Sequence, residues 1–376
     1  MKVLEVVPSF YPAHIYGGPI QSLYHLCRSL ADLGCDVKVL TTNANGPRAN
    51  LDVDTRDEVE LDGRFRVRYC RRLLFGSVSW RMLLRLPSYA KWADVIHLTS
   101  VYSFPTLPAL VLARLLGKPV VWSPRGSLQR WQGSSRVALK SFWEHLCRLL
   151  APPGMVLHVT SRDEAIQSAK KMPGARTIVI TNGIHVTGAG RRSPGSFLPD
   201  GVLRLVYIGR LHPIKALENL LSACRLLRMK WTLCIAGTGE PEYVEDLRSR
   251  IAGNIQMLGP ILGQEKDTLL KNADLLVLPS HSENFGMVVA EALAQGVPVI
   301  AAHGTPWKGL EDHHCGIWTA NDPASLAAAI ERAASMPLWQ MGEAGRDWML
   351  KEFSWQGVAG KMSELYSEVQ QHASRL

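Results

Sequence analysis

The chain has 376 residues, of which 47% are hydrophobic and 20% are charged, a composition typical of a globular protein long enough for two domains of ordinary size. No apolar run reaches the roughly 18 residues that a transmembrane helix needs, and the stretch MKVLEVVPSFYPA lacks the pattern of a signal peptide, so we expect a cytoplasmic protein. The seven cysteines include no CxxC pair, which predicts buried thiols rather than disulfides.

The positive charge is concentrated in the first half. The formal net charge is +9; residues 1–185 carry 24 Lys and Arg against 13 Asp and Glu, and the remaining residues carry 18 against 20. Most of the excess falls in 65–92 and 124–150, where basic residues are mixed with Trp, Phe and Leu. Such a surface suits nucleic acid or anionic lipid, or it belongs to a basic domain without a dedicated partner. Because no nucleic-acid-binding motif is visible, we predict no nucleic-acid partner and favour peripheral contact with an anionic membrane.

Short apolar runs alternate with amphipathic helical stretches, which predicts an α/β fold with parallel sheets covered by helices on both faces. In the first half, the predicted strands are Val3–Val7, Val37–Thr41, Val95–Leu98, Val120–Ser123, Leu157–Thr160 and Thr177–Ile180. The predicted helices between them are Ile20–Leu33, Thr106–Leu116, Val137–Leu150 and Arg162–Lys171.

A stretch rich in Gly, Pro and Ser separates the two halves. We predict a first domain over 1–185, a linker over 186–202 and a second domain over 203–353. The second domain restarts the alternation, with strands Leu203–Ile208, Trp231–Ala236, Ile255–Leu258, Leu275–Leu278, Val299–Ala301 and Gly316–Thr319. Its predicted helices cover 216–228, 241–252, 263–272, 285–296 and 323–335. The result is two Rossmann-like halves.

The most informative motif is PSHSENFGMVVAEALAQGVPVIA, residues 279–301, in which seven residues separate Glu283 from Glu291. A buried strand precedes the motif and a helix begins inside it, at a point where backbone N–H groups can hold an anion. Along a helix the two carboxylates would lie roughly 12 Å apart. This spacing suits a ligand with phosphates in the middle and hydroxyls at both ends.

The motif resembles the E-x7-E motif of the retaining nucleotide-sugar glycosyltransferases of family 4, and the resemblance covers essentially the whole chain. It implies the GT-B fold: two facing Rossmann-like domains, with a last helix, about 354–376, that crosses back to the first domain. It also implies that Glu291 holds the ribose hydroxyls of the sugar donor and that Glu283 lies beside the donor sugar. The amides around Asn284, Phe285 and Gly286 would approach sugar and phosphate.

Cleavage of a sugar diphosphate leaves negative charge that a metal or fixed cations must stabilise. Arg210 directly follows a strand and Lys215 begins the next helix, with a G-R-x4-K spacing similar to the family's diphosphate clamp. The resemblance thus makes Arg210, Lys215 and Glu283 the catalytic residues. Asp52-Val53-Asp54 lies in an acidic polar loop, and His313-His314-Cys315 cannot all point at one ion. We therefore predict metal-independent chemistry without a cofactor.

Further positions match the family around the sugar donor. The loop ending in Gly17-Gly18 is comparable to a family loop that faces the donor, although an ordinary turn is the alternative. Gly237 and Gly239 belong to a second turn at a strand end, similar to the family's G-x-G-P element. His97 matches a common family His at a strand end, with a packed core histidine as the alternative. Arg125 stands where many members have His, which leaves the identity of the sugar open.

The resemblance implies transfer of a hexose from a nucleoside-diphosphate sugar to a hydroxyl of a glycan or a lipid-linked glycan, with the anomeric configuration retained. Cell-surface polysaccharide synthesis at the inner face of the membrane is the setting that we expect. A nucleotide-sugar epimerase or a sugar phosphorylase of the same fold remains an alternative. An NAD enzyme is disfavoured because no G-x-G-x-x-G follows the first strand, and a non-enzymatic binding module would not need these charged residues together. The sequence leaves the base, sugar and acceptor open.

Overall fold

The computed structural model describes residues 1–73, 76–129, 137–186, 193–251 and 253–373. The chain divides into two compact units, Met1–Gly183 with Trp355–Leu376, and Ile184–Ser354. The predicted linker, 186–202, falls near the start of the second unit, and its residues 187–192 lie outside the described residues. The linker therefore stays a prediction.

An eight-stranded sheet forms the centre of the first unit. The strands of this unit are β1 (Lys2–Ser9), β2 (Asp36–Thr42), β3 (Ala44–Asn45), β4 (Ala49–Asn50), β5 (Val59–Leu61), β6 (Phe65–Cys70), β7 (Val95–Thr99), β8 (Val120–Ser123), β9 (Val156–Val159) and β10 (Arg176–Val179). The sheet has the order β10-β9-β8-β7-β1-β2-β6-β5, while β3 and β4 form a separate antiparallel pair. Neighbours in the large sheet pair in parallel, except that β5 is antiparallel to β6.

Two apolar cores cover the faces of this sheet, because successive side chains of a strand point to opposite faces. The helices are α1 (Gly18–Asp32), α2 (Trp80–Trp92), α3 (Thr106–Leu115), α4 (Val137–Leu150) and α5 (Arg162–Lys171). Val3 and Val7 of β1 belong to the core that includes α1. Leu4 and Val6 belong to the opposite core, which includes residues of α2, α3 and α4.

The second unit is built on a six-stranded parallel sheet. Its strands are β11 (Leu203–Ile208), β12 (Trp231–Ala236), β13 (Ile255–Gly259), β14 (Leu275–Leu278), β15 (Val299–Ala302) and β16 (Gly316–Thr319), in the order β13-β12-β11-β14-β15-β16. Its helices are α6 (Leu217–Cys224), α7 (Pro241–Ser249), α8 (Gly263–Asn272), α9 (Met287–Ala294), α10 (Gly309–Asp312), α11 (Pro323–Ala334) and α12 (Leu338–Glu352). Because all the strands run in parallel, the loops that follow them meet at one edge.

The C-terminal helix α13 (Trp355–Ala373) belongs to the first unit, where it packs against α1. Trp355 and Tyr366 are buried in the same core as α1. Gly183 makes room for this helix, since a Cβ atom there would lie 2.4 Å from Cδ2 of Trp355. The last helix therefore completes the first unit.

The predicted fold class is confirmed, and most of the predicted strands and helices occur within a few residues of their expected bounds. The sequence prediction missed the short strands β3, β4 and β5, the short helix α10, and the longer elements β6, α2 and α12. Two of them lie in the basic stretch 65–92, where Arg66 and Arg68 interrupt the apolar residues of β6 and Pro87 lies inside α2. Proline is disfavoured within a helix, so it weakened the helical pattern.

Candidate active site

Backbone hydrogen bonds join the loops at the carboxyl edge of the second sheet. The N–H of Leu211, in the loop after β11, donates to the carbonyl of Thr238, in the loop after β12, at 2.7 Å. The N–H of His281, after β14, donates to the carbonyl of Ile214 at 2.9 Å. These bonds fix the positions of the side chains on all three loops.

Lys215 and Glu283 form an ion pair at this edge. The Lys215 ammonium donates to Oε1 of Glu283, and the Ser280 hydroxyl lies 3.3 Å from the same oxygen. The two charged side chains are only 12% and 14% exposed, so water screens them less than it would an ordinary surface pair. The structure thus brings together two of the three residues predicted to be catalytic.

Arg210, the third predicted catalytic residue, is exposed in the loop after β11, five positions before Lys215. Its carbonyl accepts a hydrogen bond of 2.9 Å from the hydroxyl of Tyr207, and this bond anchors the loop to a buried residue. Burial lowers the pKa of the His212 imidazole, and the positive charges of Arg210 and Lys215 lower it further. The loop after β11 therefore presents two cations close to a histidine held largely neutral.

A buried aromatic pair holds the motif loop. Phe285 is buried, and the indole N–H of the buried Trp307 donates to its carbonyl while the two rings meet edge to face. Gly286 follows with φ of +78°, a left-handed conformation that glycine adopts freely, and α9 begins at Met287. The predicted start of this helix at Phe285 is therefore two residues early. Asn284 is half-buried within the loop.

Glu291, in the second turn of α9, forms an ion pair with Lys266 of α8. The ammonium nitrogen of Lys266 lies 2.7 Å from Oε1 of Glu291. Each of the two glutamates of the motif is therefore held by a lysine from a different element. The lysine at position 266 was not among the residues predicted from the sequence.

Gly237 and Gly239 serve close backbone packing. A Cβ atom at Gly237 would lie 1.8 Å from the carbonyl oxygen of Gly209, and one at Gly239 would lie 2.0 Å from that of Leu211. The two glycines thus let the loops after β11 and β12 touch. The packing of the chain itself therefore requires glycine at both positions, independently of any ligand.

Gly18, predicted to face the sugar donor, is the first residue of α1 in the first unit. The neighbouring Gly17 has φ of +72°, and a Cβ atom at that position would meet nothing within 4 Å among the described residues. The conformation therefore requires glycine at Gly17, and the space beside it is open.

Arg125 lies in a strained turn of the first unit. Its φ is +52°, unusual for a residue with a side chain, and the next N–H, of Gly126, donates to buried Glu164 at 2.6 Å. The Arg125 guanidinium donates to Asn182 at 2.6 Å, while its buried Nε has no hydrogen-bond partner in the described part of the chain. Arg125 is half-buried, and the carboxyl groups of Glu5 and Glu164 lie near its guanidinium.

His97 cannot touch a sugar donor directly, which corrects that part of the prediction. The side chain is fully buried, and it forms hydrogen bonds of 2.6 Å with the hydroxyls of Tyr366 and Ser123. The packed core histidine was the other interpretation of the sequence, and it is the one found. Tyr366, on α13, lies 269 positions away in the sequence, so no local pattern could reveal it.

Metal-ligand clusters and membrane-spanning helices are both absent from the residues with described positions. Within residues 1–73, 76–129, 137–186, 193–251 and 253–373, no three His, Cys, Asp or Glu side chains are grouped so as to hold a metal ion. No helix in those same ranges combines the length and the apolar character needed to cross a membrane.

Two family descriptions match the sequence. "Glycosyl transferase 4-like domain" matches residues 17–183, and "Glycosyl transferases group 1" matches residues 203–336. The matched residues make up most of the chain, which therefore belongs to glycosyltransferase family 4.

Individual proteins agree with this assignment. Glycogen synthase from Mycobacterium tuberculosis is 27% identical to this chain, over 97% of this chain and 94% of its own length. Sucrose-phosphate synthase from Thermosynechococcus elongatus has a similar structure, with a TM-score of 0.75 and 19% identity over 98% of both chains. Anabaena HepE in complex with UDP-glucose has a TM-score of 0.73 and 19% identity, over 98% of this chain and 100% of its own. These likenesses establish the GT-B fold, and the chain is a glycosyltransferase.

Proposed function

We propose that this glycosyltransferase moves a hexose from a nucleoside-diphosphate sugar to a hydroxyl of a glycan or lipid-linked glycan and retains the anomeric configuration. The observation that carries the proposal is the pair of lysine–glutamate contacts, Lys215 with Glu283 and Lys266 with Glu291, on the loops and helices at one sheet edge. Synthesis of cell-surface polysaccharide in the cytoplasm, at the inner face of the membrane, is the setting that we propose.

The charged residues suit the parts of such a sugar donor. Arg210 is exposed and Lys215 is preorganised by its ion pair, so both can stabilise the negative charge that develops on the departing diphosphate. Glu283 would accept hydrogen bonds from the sugar hydroxyls, and Glu291 those from the ribose. The amides of Asn284 and Gly286 would approach the sugar and the phosphate at the start of α9.

We propose a front-face reaction without a covalent enzyme intermediate. The bond between the anomeric carbon and the phosphate oxygen breaks, the bond to the acceptor oxygen forms on the same face, and the acceptor proton passes to the departing phosphate oxygen. Glu283 is a poor nucleophile for a covalent path, because Lys215 and Ser280 already contact one of its oxygens. Fixed cations would take the part of a metal, so the reaction would be metal-independent and need no cofactor.

The first donor to test is UDP-glucose, because HepE, of similar fold, is known in complex with it. Thermal unfolding with UDP, GDP and ADP and their hexose conjugates identifies the base, since a ligand at 100 times its Kd stabilises the folded state by about 2.7 kcal/mol. A shift confined to one base and retained in EDTA supports the proposal. If no nucleotide shifts the unfolding temperature, the proposed sugar donor is wrong. Release of an epimerised sugar without acceptor would support the epimerase alternative.

Replacing Lys215 tests the diphosphate clamp. Lys215→Ala removes a cation that acts on the leaving group, so we expect kcat/KM to fall about 100-fold or more. Lys351→Ala, which removes the same charge at an exposed position of α12, is the control and should leave kcat/KM unchanged. An effect of Lys215→Ala below about threefold would remove the clamp from the mechanism, since the loss of one transition-state contact is expected to cost far more.

We further propose that the first unit sits on an anionic membrane, where a lipid-linked acceptor would lie. Helices α2, α3 and α4 are neighbours on one face of its sheet and expose large apolar side chains toward solvent. Residues of this surface, here called the apolar–basic face, are Trp80, Arg81, Leu84, Arg85, Leu115, Leu139, Phe142, Arg148 and Leu149. Apolar side chains mixed with arginines are typical of surfaces that insert shallowly among anionic headgroups.

A further inference from the structure

Lys266 is an unexplained cation at the nucleotide end of the proposed donor site. It lies in the first turn of α8, the helix that follows the strand-end turn after β13. Its ammonium contacts Oε1 of Glu291 at 2.7 Å, and both side chains are 23% exposed. No other hydrogen bond is recorded for either side chain within the described ranges of the chain.

This contact constrains how Glu291 can meet a ligand. A carboxylate has two oxygens that together accept about four hydrogen bonds. Lys266 occupies one position on Oε1, so Oε2 and the second lone pair of Oε1 remain available for a pair of neighbouring hydroxyls. A partly buried ion pair also fixes the carboxylate in a single orientation before a ligand arrives, which lowers the entropic cost of binding.

We propose that Lys266 is a positioning residue that holds Glu291 ready for the ribose of the sugar donor. The inference rests on the proposed function, in which Glu291 accepts the ribose hydroxyls. The alternative is that Lys266 simply adds positive charge for the diphosphate. The geometry favours the first role, because Lys266 contacts Glu291 while Arg210 and Lys215 lie on a different loop.

The two roles differ in which ligand they affect. Lys266→Met keeps much of the apolar stem and removes the ammonium, and we expect the Kd of the preferred nucleoside diphosphate (UDP, GDP or ADP) to rise about tenfold. Inhibition by inorganic pyrophosphate, which has no ribose, should change less than about twofold, because the diphosphate cations are intact. Lys266→Arg should restore most of the nucleotide affinity, since it can still donate to Glu291.

A matched control and a double-mutant cycle complete the test. Lys271→Met removes the same charge from an exposed position of the same helix and should leave both constants unchanged. In a Glu291→Gln background, Lys266→Met should add little, because the residue that it positions is already altered. Equal losses for nucleotide and pyrophosphate, or an unchanged nucleotide Kd, would overturn the proposal. If the wild-type protein binds no nucleoside diphosphate, the proposed function itself is wrong. If the wild-type protein binds one and only the Lys266 variants depart from expectation, the positioning role alone is wrong.

Discussion

The buried histidines of the first unit have proton positions that follow from one carbonyl group. Nε2 of His158 lies 2.9 Å from the carbonyl oxygen of Ile180, which can only accept, so Nε2 carries the proton. The Ser123 hydroxyl must then donate to Nδ1 of His158 and accept from Nε2 of His97. Nδ1 of His97 is therefore an acceptor. Both imidazoles are neutral, and burial lowers the pKa of His158 to about 3 and that of His97 well below its ordinary value.

Glu5 completes this network as a protonated acid. Its Oε2 lies 3.1 Å from Nδ1 of His97, a nitrogen whose single lone pair already accepts from the Tyr366 hydroxyl at 2.6 Å. Burial raises the pKa of Glu5 from 4.5 to about 8, an effect that Thr99 and Arg125 reduce without cancelling. At pH 7 Glu5 is therefore mostly protonated, and its contact with His97 is one between two neutral groups.

Glu5→Gln should remove a pH dependence of stability. Because the pKa of Glu5 is higher in the folded chain, the folded state binds more protons between pH 4.5 and about 8, and stability falls as the pH rises through that window. The buried histidines have lowered pKa values, so they affect the pH dependence of stability only below about pH 6.5. From pH 6.5 to 8 the wild-type protein should therefore lose roughly 2 kcal/mol of unfolding free energy that Glu5→Gln, whose side chain does not titrate, does not lose.

Urea unfolding of the first unit at pH 6.5, 7.2 and 8 measures this difference. Glu60→Gln makes the same change at an exposed position of β5 and should follow the wild-type pH dependence. Parallel pH profiles for the wild-type protein and Glu5→Gln would mean that Glu5 is ionised in the folded state.

At the scale of elements, the loop between β14 and α9 depends on a tryptophan beyond the next strand. Trp307 contacts Phe285, Trp348 and Phe353, and its indole N–H satisfies the Phe285 carbonyl. Glu283, two residues before Phe285, is tied to the same region by its N–H, which donates to Gly304 at 2.9 Å. The segment 304–307 therefore supports the motif loop through backbone and ring contacts.

Trp307→Phe should loosen this loop. The change leaves the buried Phe285 carbonyl without its donor and removes part of a buried ring, so we expect the second unit to lose about 2–3 kcal/mol of unfolding free energy. The Kd for the nucleotide sugar should also rise, because the loop carries Glu283. Trp318→Phe, at a half-buried tryptophan that donates to Thr305 at 3.2 Å, is the control and should cost less than about 1 kcal/mol. Equal losses in the two variants would deny Trp307 a special role in the loop.

The sequence predicts residues at strand ends better than it predicts their supports. Arg210, Lys215 and Glu283 could be placed because they follow strands, and parallel strands bring their ends to one edge. Lys266 and Trp307 could not be assigned in this way, because their partners lie 25 and 22 positions away on other elements. No local pattern records such pairs. The roles of the site residues in binding and chemistry stay predictions.

At the scale of the whole molecule, the structure shows where the basic residues of the first half of the sequence lie. The basic stretches 65–92 and 124–150 include α2 and α4, which flank α3 on one face of the first sheet. Leu84 is 79% exposed and Phe142 60% exposed, although both lie on helices whose other sides are buried in the core. The sequence predicted that basic and apolar residues occur together in the same two stretches. Their arrangement on neighbouring helices required the structure.

The apolar–basic face should bind anionic vesicles through both its charge and its apolar side chains. Each arginine near such a surface contributes about 1 kcal/mol, and each inserted leucine or phenylalanine adds to that through the apolar area it buries. We expect co-sedimentation with phosphatidylglycerol vesicles that weakens as salt rises, and no binding to neutral phosphatidylcholine vesicles. Replacing Leu84 and Phe142 together by Gln should lower the partition coefficient at least about tenfold while leaving the unfolding free energy nearly unchanged, because both side chains are exposed.

The matched control replaces Leu226 and Leu350, two exposed leucines of the second unit, by Gln. This variant loses a similar exposed apolar area from the unit that carries no net positive charge, so its binding should equal that of the wild-type protein. If both double variants lose binding alike, general surface hydrophobicity rather than the apolar–basic face attaches the protein to lipid. If the wild-type protein ignores anionic vesicles even at low salt, the membrane contact is wrong, and the acceptor must reach the enzyme from solution.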